Sequence, residues 1–463
     1  MTELDLFERR LAAALEAEAD ANLTPFQPRA VAQAATAQGR RRVVGATLRV
    51  RAPRHMRFAV AAAIAILTVS AAISLIRPDQ FGVGDPSRRP AASTPTPLPT
   101  ALVPIGAWTD AAPMADPRGW GATATLLVDG RVLVASGDDA LRSAEVFDTG
   151  SGTWTRTGSL TEARRDATAT RLADGRVLVA GGTSGSEVDL DKGIFPDTLA
   201  SAELYDPATG EWTPTGGMSE ARAGHTATLL QDGRVLVTGG VAATRPPYPR
   251  FDSAELYDPA TGTWSPAGSM LEARDAHSAT LLPDGRVLVA GGHHLGRIES
   301  AEVYDPDTNA WALIERLPEP FLGHTAELLA NGTVLVAGGD VPRGPGAVGS
   351  AHTALYDLAA GTWRMGPAMI TARIGHGGTA LRDGRILLTG GSEVGNPDNN
   401  VFVEAELYDP ARATWLPAAN LRTARAGHVS VLLADGRVLV ACGTGTDGLP
   451  VRTVELFDPL ADP

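Results

Sequence analysis

The sequence predicts an all-β fold of seven copies of one four-stranded unit, set behind a single transmembrane helix. Three observations carry this reading. The phrase DGRVLVAGG, or a close relative, starts at Asp129, Asp174, Asp232, Asp284, Asn331, Asp383 and Asp435. The copies stand 45 to 58 residues apart, and a period near 50 marks one supersecondary unit repeated with insertions of varying length. Upstream, residues 58–76 form a run without a single charge.

Residues 1–57 carry six acidic and ten basic side chains, a net charge of +4. Leu4, Phe7, Leu11 and Leu15 fall at helical spacing among charges, which predicts a short amphipathic helix over 3–18. The uncharged run at 58–76 is long enough to span a hydrocarbon core. Arg40, Arg41, Arg42, Arg49, Arg51, Arg54 and Arg57 precede it, and Arg77 follows closely. By the positive-inside rule the N-terminus stays cytoplasmic and the rest is exported. A leader of 57 residues is too long for a cleaved signal peptide, so the run reads as an uncleaved signal anchor. Residues 77–103 contain DPSRRPAASTPTPLPT and read as an extended Pro/Ser/Thr-rich linker.

The repeats occupy residues 104–463. Each opens with Arg and Gly-His, as in Arg222-Ala223-Gly224-His225. An apolar run, a DG or NG turn and a second apolar run ending in Gly-Gly follow. Then come a loop of changing length, the phrase SAELYDP, a short turn and a Trp. Short runs of Val, Leu, Thr and Ala between turn residues read as strands. Asp-Gly between two such runs predicts a hairpin with a two-residue turn of positive φ. VLVAGG is apolar throughout, so both its faces are expected to be buried.

The order Arg, Gly-His, apolar run, Gly-Gly, Tyr-Asp, Trp resembles the kelch repeat. The DGRVLVAGG form is similar to the central domain of galactose-oxidase-like bacterial proteins. The resemblance spans roughly residues 104–459 and implies a β-propeller with blades around a central channel. The blade-ending residues are Trp154, Trp212, Trp264, Trp311, Trp363 and Trp415. The last unit stops at Phe457-Asp458-Pro459 without its Trp strand, while Trp108 precedes the first unit in a phrase that matches a blade tail. The N-terminal strand is therefore expected to complete the last of seven blades.

The whole chain carries −13, which leaves −17 for residues 58–463. An acidic propeller argues against nucleic acid as a partner. The basic stretch suits anionic lipid headgroups. The lone Cys442 stands where other units have the first glycine of Gly-Gly, and it permits no disulfide within one chain.

Repeated residues read as scaffold. They are His225, His277, His324, His376 and His428, with Ala122 and Ala167 in the first two units. They also include Arg164, Arg222, Arg274, Arg373 and Arg425, and Glu145, Glu203, Glu255, Glu302, Glu406 and Glu455, expected to pair with arginines between blades. Residues outside the repeat are the candidates for function. His293, His294 and His352 fall short of a converging metal set. Glu187, Asp189 and Asp191 lack the spacing of a calcium loop. Tyr205, Tyr257, Tyr304, Tyr356 and Tyr408 sit in the repeat phrase, so the set for a copper–tyrosine centre is not evident. No catalytic residue, metal site or cofactor is assigned.

The loop after Gly-Gly varies most, with long versions at 183–200, 241–252, 340–353 and 392–403. Variation on a rigid scaffold marks a recognition surface. Tyr248, Arg250, His293, His294, Arg297, Arg343, Asn396, Asp398 and Asn399 are the candidate ligand-binding residues. The expectation is a monomeric, membrane-anchored module that binds an extracellular protein or glycan. One alternative is a transmembrane regulator with a cytoplasmic protein partner at residues 1–57. Its layout is similar to membrane-bound anti-sigma factors, though no His-x-x-x-Cys-x-x-Cys motif is present. The other alternative is a galactose-oxidase-like or sugar-modifying enzyme.

Overall fold

A computed structural model of the chain describes residues 103–137, 141–185, 197–242, 248–342, 347–393 and 400–461. The expected cytoplasmic helix, the span at 58–76 and the linker up to residue 102 lie outside the described residues, as do Glu187, Asp189, Asp191, Arg343, Asn396, Asp398 and Asn399.

Seven four-stranded antiparallel sheets form the blades of a propeller. The first comprises Ala122–Leu126, Val132–Ser136, Ala144–Asp148 and Thr153–Arg156, in that order from the channel outward. The second strand is fully buried in six blades, and in blade five all of it but Thr333 is, as the VLVAGG run requires. In blade seven the outer strand is Ala107–Ala111, which pairs antiparallel with Val454–Asp458. Trp108 lies opposite Phe457, and Ile105 bonds through its backbone to Pro417 and Ala419 of blade six. The two ends of the propeller sequence thus share one sheet, which gives blade seven its fourth strand.

The DG hairpins differ from expectation. Gly130 has φ of +86° while Asp129 is not in the left-handed region. Gly130 N–H bonds Leu127 O at 3.1 Å and Leu127 N–H bonds Arg131 O at 2.8 Å. This is a three-residue loop, a type I turn closed by one left-handed glycine, rather than a two-residue turn. Asp129 secures it by accepting from the Arg131 backbone at 3.1 Å and from Arg131 Nε at 2.8 Å. One left-handed glycine is sterically cheaper than two left-handed residues, one of them aspartate.

The core lies between blades. Each buried cluster draws from two neighbours, such as Leu172, Leu178 and Leu204 of blade two with Val235, Val237 and Tyr257 of blade three. Tyr205 packs on Trp212 with centroids 5.0 Å apart, and the pair recurs around the ring. The indole N–H of Trp212 reaches Gly158 O of the preceding blade at 2.9 Å.

The recurrent ions pair within a blade, not between blades. Arg274 is buried and donates to Gly291 O, Ser300 O, Ser300 Oγ and Glu302 Oε1 at 2.7–3.1 Å. The other oxygen of Glu302 accepts from the backbone of Leu271 at 2.6 Å. Both carboxylate oxygens and the guanidinium are satisfied locally, and the network pins the Gly-Gly kink to the third strand. Arg118 does the same in blade one with Ser136 O and Glu145. Arg118 belongs to the repeat although an extra residue displaces it from the usual register.

The histidines do join blades. His225 Nε2 meets Thr168 Oγ1 of blade two at 3.0 Å, and His277 Nε2 meets Thr226 and Thr238 of blade three. His324 reaches Ser278, His376 reaches Thr325 and His428 reaches Thr389. Burial drives all five imidazoles below their ordinary pKa, to about 3 for His225 and His376 and about 4 for His324. They are neutral hydrogen-bonding groups.

Candidate functional site

The propeller has two faces of different character. One carries the DG turns and the third-to-outer turns. Its polar groups are held in the turns themselves, as in the Asp435–Arg437 pair at 2.7 Å. A cleft of about 520 Å³ opens on this face between blades six and seven, lined by Arg382, Asp383, Asp435, Arg437 and Leu460. A cleft of about 260 Å³ repeats it between blades three and four. These clefts are made of repeat residues, so they reflect the scaffold.

The opposite face carries the loops after Gly-Gly and the blade-to-blade connections. Here a repeated backbone turn lines the channel mouth. The residue before each recurrent His position is left-handed, including the non-glycines Asp166 and Ala276 at φ of +53° and +50°. In four of the seven blades its N–H bonds the equivalent carbonyl of the preceding blade: Asp166 to Gly121, Ala276 to Gly224, Gly323 to Ala276 and Gly427 to Gly375, at 2.7–3.2 Å. One residue earlier in each blade stand Trp120, Arg165, Ala223, Asp275, Leu322, Ile374 and Ala426. From blade two onward, each of these bridges to the start of its blade's variable loop. The backbone of this turn repeats while its side chains do not.

Several predicted site residues meet at this rim. Arg250 Nε donates to Asp275 Oδ1 at 2.7 Å, tying the loop of blade three to the connection of blade four. Tyr248, at φ of +48°, accepts from Arg250 Nη1 at 3.3 Å through its backbone carbonyl. His293 Nδ1 lies 3.7 Å from the same Asp275 oxygen. Its pKa is lowered, first by burial and next by Arg250, against the pull of Asp275. His293 pairs with Arg297 across a tight hairpin whose tip, Leu295, is 96 % exposed. Arg297 in turn pairs with Asp340 of blade five at 2.5 Å. A line of alternating charge therefore runs from blade three through blade four to blade five.

His352 does not join His293 and His294. It bonds Glu319 at 2.5 Å inside blade five. Glu319 matches Glu220 and Glu272, which bond an arginine or a serine in their own blades. Blade five has Phe321 in place of the arginine and Ala354 in place of its glutamate, both buried in one apolar cluster. His352 is thus the substitute partner of a carboxylate that lacks its arginine. Among the described residues no three His, Cys, Asp or Glu side chains gather as a metal site. The five repeat tyrosines are packed on tryptophans in separate blades, and buried Cys442 has its pKa pushed up to about 12 by desolvation. These residues do not fit a copper–tyrosine centre.

Sequence reasoning missed Trp120, Asp275, Asp340 and Glu319. The signal for the first two was available: a non-repeated side chain at a repeated position, immediately before the left-handed residue.

A kelch motif model matches residues 221–271 and 276–318, within blades three and four. The chain is 32 % identical over 116 residues to a kelch-like protein, terF, of Aspergillus terreus, a match covering 23 % of this chain and 25 % of that one. The chain thus spans about a quarter of the curated relative it matches. Among solved structures it is similar to a fungal alcohol oxidase of the AA5 family in complex with copper, with a TM-score of 0.60 and 18 % identity, over 77 % of this chain and 76 % of that one. It is also similar to YjhT, with a TM-score of 0.52 and 17 % identity, over 67 % and 99 %. At these identities the likeness is one of fold. The chain carries kelch motifs in blades three and four and folds as a seven-bladed propeller, a fold it shares with these structures.

Proposed function

We propose that this kelch-motif propeller is a recognition module that binds an extracellular protein or glycan through its loop face. In this reading the signal anchor at 58–76 holds it at the cell membrane with the N-terminus cytoplasmic, and the linker sets it off the bilayer. The observation that carries the binding role is the contrast between faces. Turn chemistry nearly repeats on one, whereas loop length and rim side chains differ from blade to blade on the other. Loops that bind without chemistry need to be held in place, and the Arg250–Asp275 and Arg297–Asp340 pairs do this for blades three to five. Partly buried, geometrically fixed arginines are frequent anchors of interfaces.

The test compares faces. Purified cell-envelope proteins and polysaccharides are titrated against the full chain and two variants. Arg250→Ala with Arg297→Ala disturbs the loop face, and Arg176→Ala with Arg286→Ala disturbs the turn face. Selective loss in the loop variant supports the proposal, and equal loss or retention in both contradicts it. For the topology, protease added to intact cells should cut near residues 90–100 and release the propeller. A protected C-terminal tag with an accessible N-terminal tag would reverse the orientation.

The amphipathic spacing of Leu4, Phe7, Leu11 and Leu15 favours a second role for residues 1–57, docking a cytoplasmic protein partner such as a sigma factor. Co-purification that Phe7→Ala with Leu11→Ala abolishes would support this reading, and co-purification unaffected by that change would remove it.

A further inference from the structure

A strand at the edge of a sheet offers unpaired N–H and C=O groups to any other extended chain, and proteins block such edges with proline or charge. The outer strand of each blade is such an edge. One of its residues lies opposite the recurrent glutamate, or opposite Ala354 in blade five. The residue after it bonds inward: Thr157 N–H to Ala144 O, Ile314 N–H to Ala301 O, Gly366 N–H to Thr353 O and Ala418 N–H to Ala405 O. Backbone groups alternate in direction along an antiparallel edge, so the residue opposite the glutamate turns its own outward. Blade six shows this directly. Pro417 lies opposite Glu406, and its carbonyl accepts at 3.0 Å from Ile105 N–H, which comes from outside that blade.

The outward residue separates the blades. It is Pro214, Pro266 and Pro417 in blades two, three and six, Arg156 in blade one and Asp110 in blade seven. Proline has no N–H to offer, and a charge resists burial under an added strand. Blades four and five carry Leu313 and Met365 instead, 58 % and 45 % exposed. Blade five is closed in another way, because Trp363 N–H donates to Glu315 Oε2 at 2.9 Å and Arg364 is exposed on the same strand. The edge left open is that of blade four, Ala310–Leu313. Trp311 and Leu313 direct their N–H groups outward, and these have no partner among the described residues. From Ala310 to Ile314 there is no charge.

We propose that this edge pairs with the same edge of a second copy of the chain, joining the two blades into one continuous antiparallel sheet about a twofold axis. Pairing centred on Ala312 sets Trp311 of each copy against Leu313 of the other, and each such pair exchanges both of its backbone hydrogen bonds. Indole and leucine side chains then cover one another across the joint, a favourable cross-strand combination. The flanks fit as well. In this register Glu315 meets Asn309 and Arg316 meets Thr308, so no like charges face each other. The same operation on blade five would set Arg364 against its own copy, and like charges directly opposite are destabilising. With the other six edges blocked, association stops at two copies, as an isologous contact requires. The site is on the outer wall of the propeller and does not rest on the loop-face reading.

The test is sedimentation velocity of the full chain in mild detergent over a concentration series. The native chain should show a monomer–dimer equilibrium. Leu313→Pro gives blade four the residue that blades two, three and six already carry, and should raise the dimer dissociation constant about tenfold or more. Met365→Pro should leave it unchanged. Leu313→Lys keeps the N–H but charges the edge, and should weaken the dimer even if Leu313→Pro lowers the thermal midpoint. Hydrogen exchange at the Trp311 and Leu313 amides should slow as the native chain is concentrated. A native chain that stays monomeric at every concentration, or a dimer as tight in Leu313→Pro and Leu313→Lys as in the native chain, overturns the proposal. Amides that slow only when a different protein is added would assign the edge to that partner and overturn the dimer.

Discussion

The seven seams between blades are of two kinds. Five carry a histidine that bonds a hydroxyl of the preceding blade, and all five have glycine opposite it. A Cβ on Gly239 would lie 2.8 Å from His277 Cε1 and 2.4 Å from Arg274 O, so the imidazole occupies the side-chain space. The two seams that flank blade one have Ala122 and Ala167 instead of histidine. There the glycine is replaced by Cys442 and Ser136, both buried and both left-handed at φ of +65° and +63°. A larger side chain on one blade thus fills what a smaller one on the next leaves empty. The seam is a conserved volume filled in two ways, and the unusual cysteine is a packing residue.

Acid should separate the two kinds most. Each buried histidine has a folded pKa far below its unfolded value near 6.5. The unfolded chain therefore binds protons that the folded chain refuses, and stability is full above pH 6.5 and falls as pH drops toward 4. Each histidine contributes about 1.4 kcal/mol per pH unit in that window, so five approach about 7 kcal/mol per unit. Denaturant unfolding between pH 7 and 5 measures this slope. Replacing His277 by glutamine should reduce it by about one proton, and a flat profile would show that the seams are not sealed against protonation.

Next in size is the arginine network, which both kinds of seam share. Arg274→Ala should cost about 3–5 kcal/mol, because Glu302 is left buried without its counter-charge. Adding Glu302→Ala with phenylalanine at 274, as blade five already has, should recover most of that loss. If the double change is no better than the single, the apolar version depends on blade five alone.

Exchanging fillings tests the seams directly. Gly239→Cys should cost about 3 kcal/mol, from the clash with His277 and the left-handed backbone together. The mirror change, Cys442→Gly, should cost only about 1 kcal/mol, since it leaves a small void beside Ala122. Equal costs would mean that the two seams do not differ in filled volume. The smallest effect belongs to the rim: Arg250→Ala should change stability by about 1 kcal/mol or less, as a partly exposed pair, while weakening ligand binding. Thermal midpoints of the variants rank all of these.

The repeat made the blade legible in the sequence: four strands to a unit, a buried second strand and ring closure by Trp108 all follow from patterns of local periodicity. What it hid was partnership. Arginine and glutamate recur together, but spacing alone does not say whether they meet within a blade or across a seam. Blade five held the answer, since Phe321 and Ala354 change in the same unit, as partners must. His352 read as a stray ligand because Glu319 had not been recognised as a carboxylate deprived of its arginine. At the rim, Asp275 and Trp120 were passed over because they lie inside the repeat frame, and the candidate loops lay outside it. Tyr248, Arg250, His293 and Arg297 do come together along one face, but the groups that hold them were invisible without the fold.

The strand Ala107–Ala111 has a further consequence, in time rather than in space. It is the first propeller strand to be synthesised, and its partner Val454–Asp458 is the last. At 5–20 residues per second, roughly 350 residues separate them by about 20 to 70 s of synthesis. During that interval six blades can fold while the founding strand waits with both edges unpaired. The same delay protects the outcome: a product that stops before Val454 lacks the partner of Ala107–Ala111 and cannot close blade seven. The finished circle therefore certifies that translation passed Asp458.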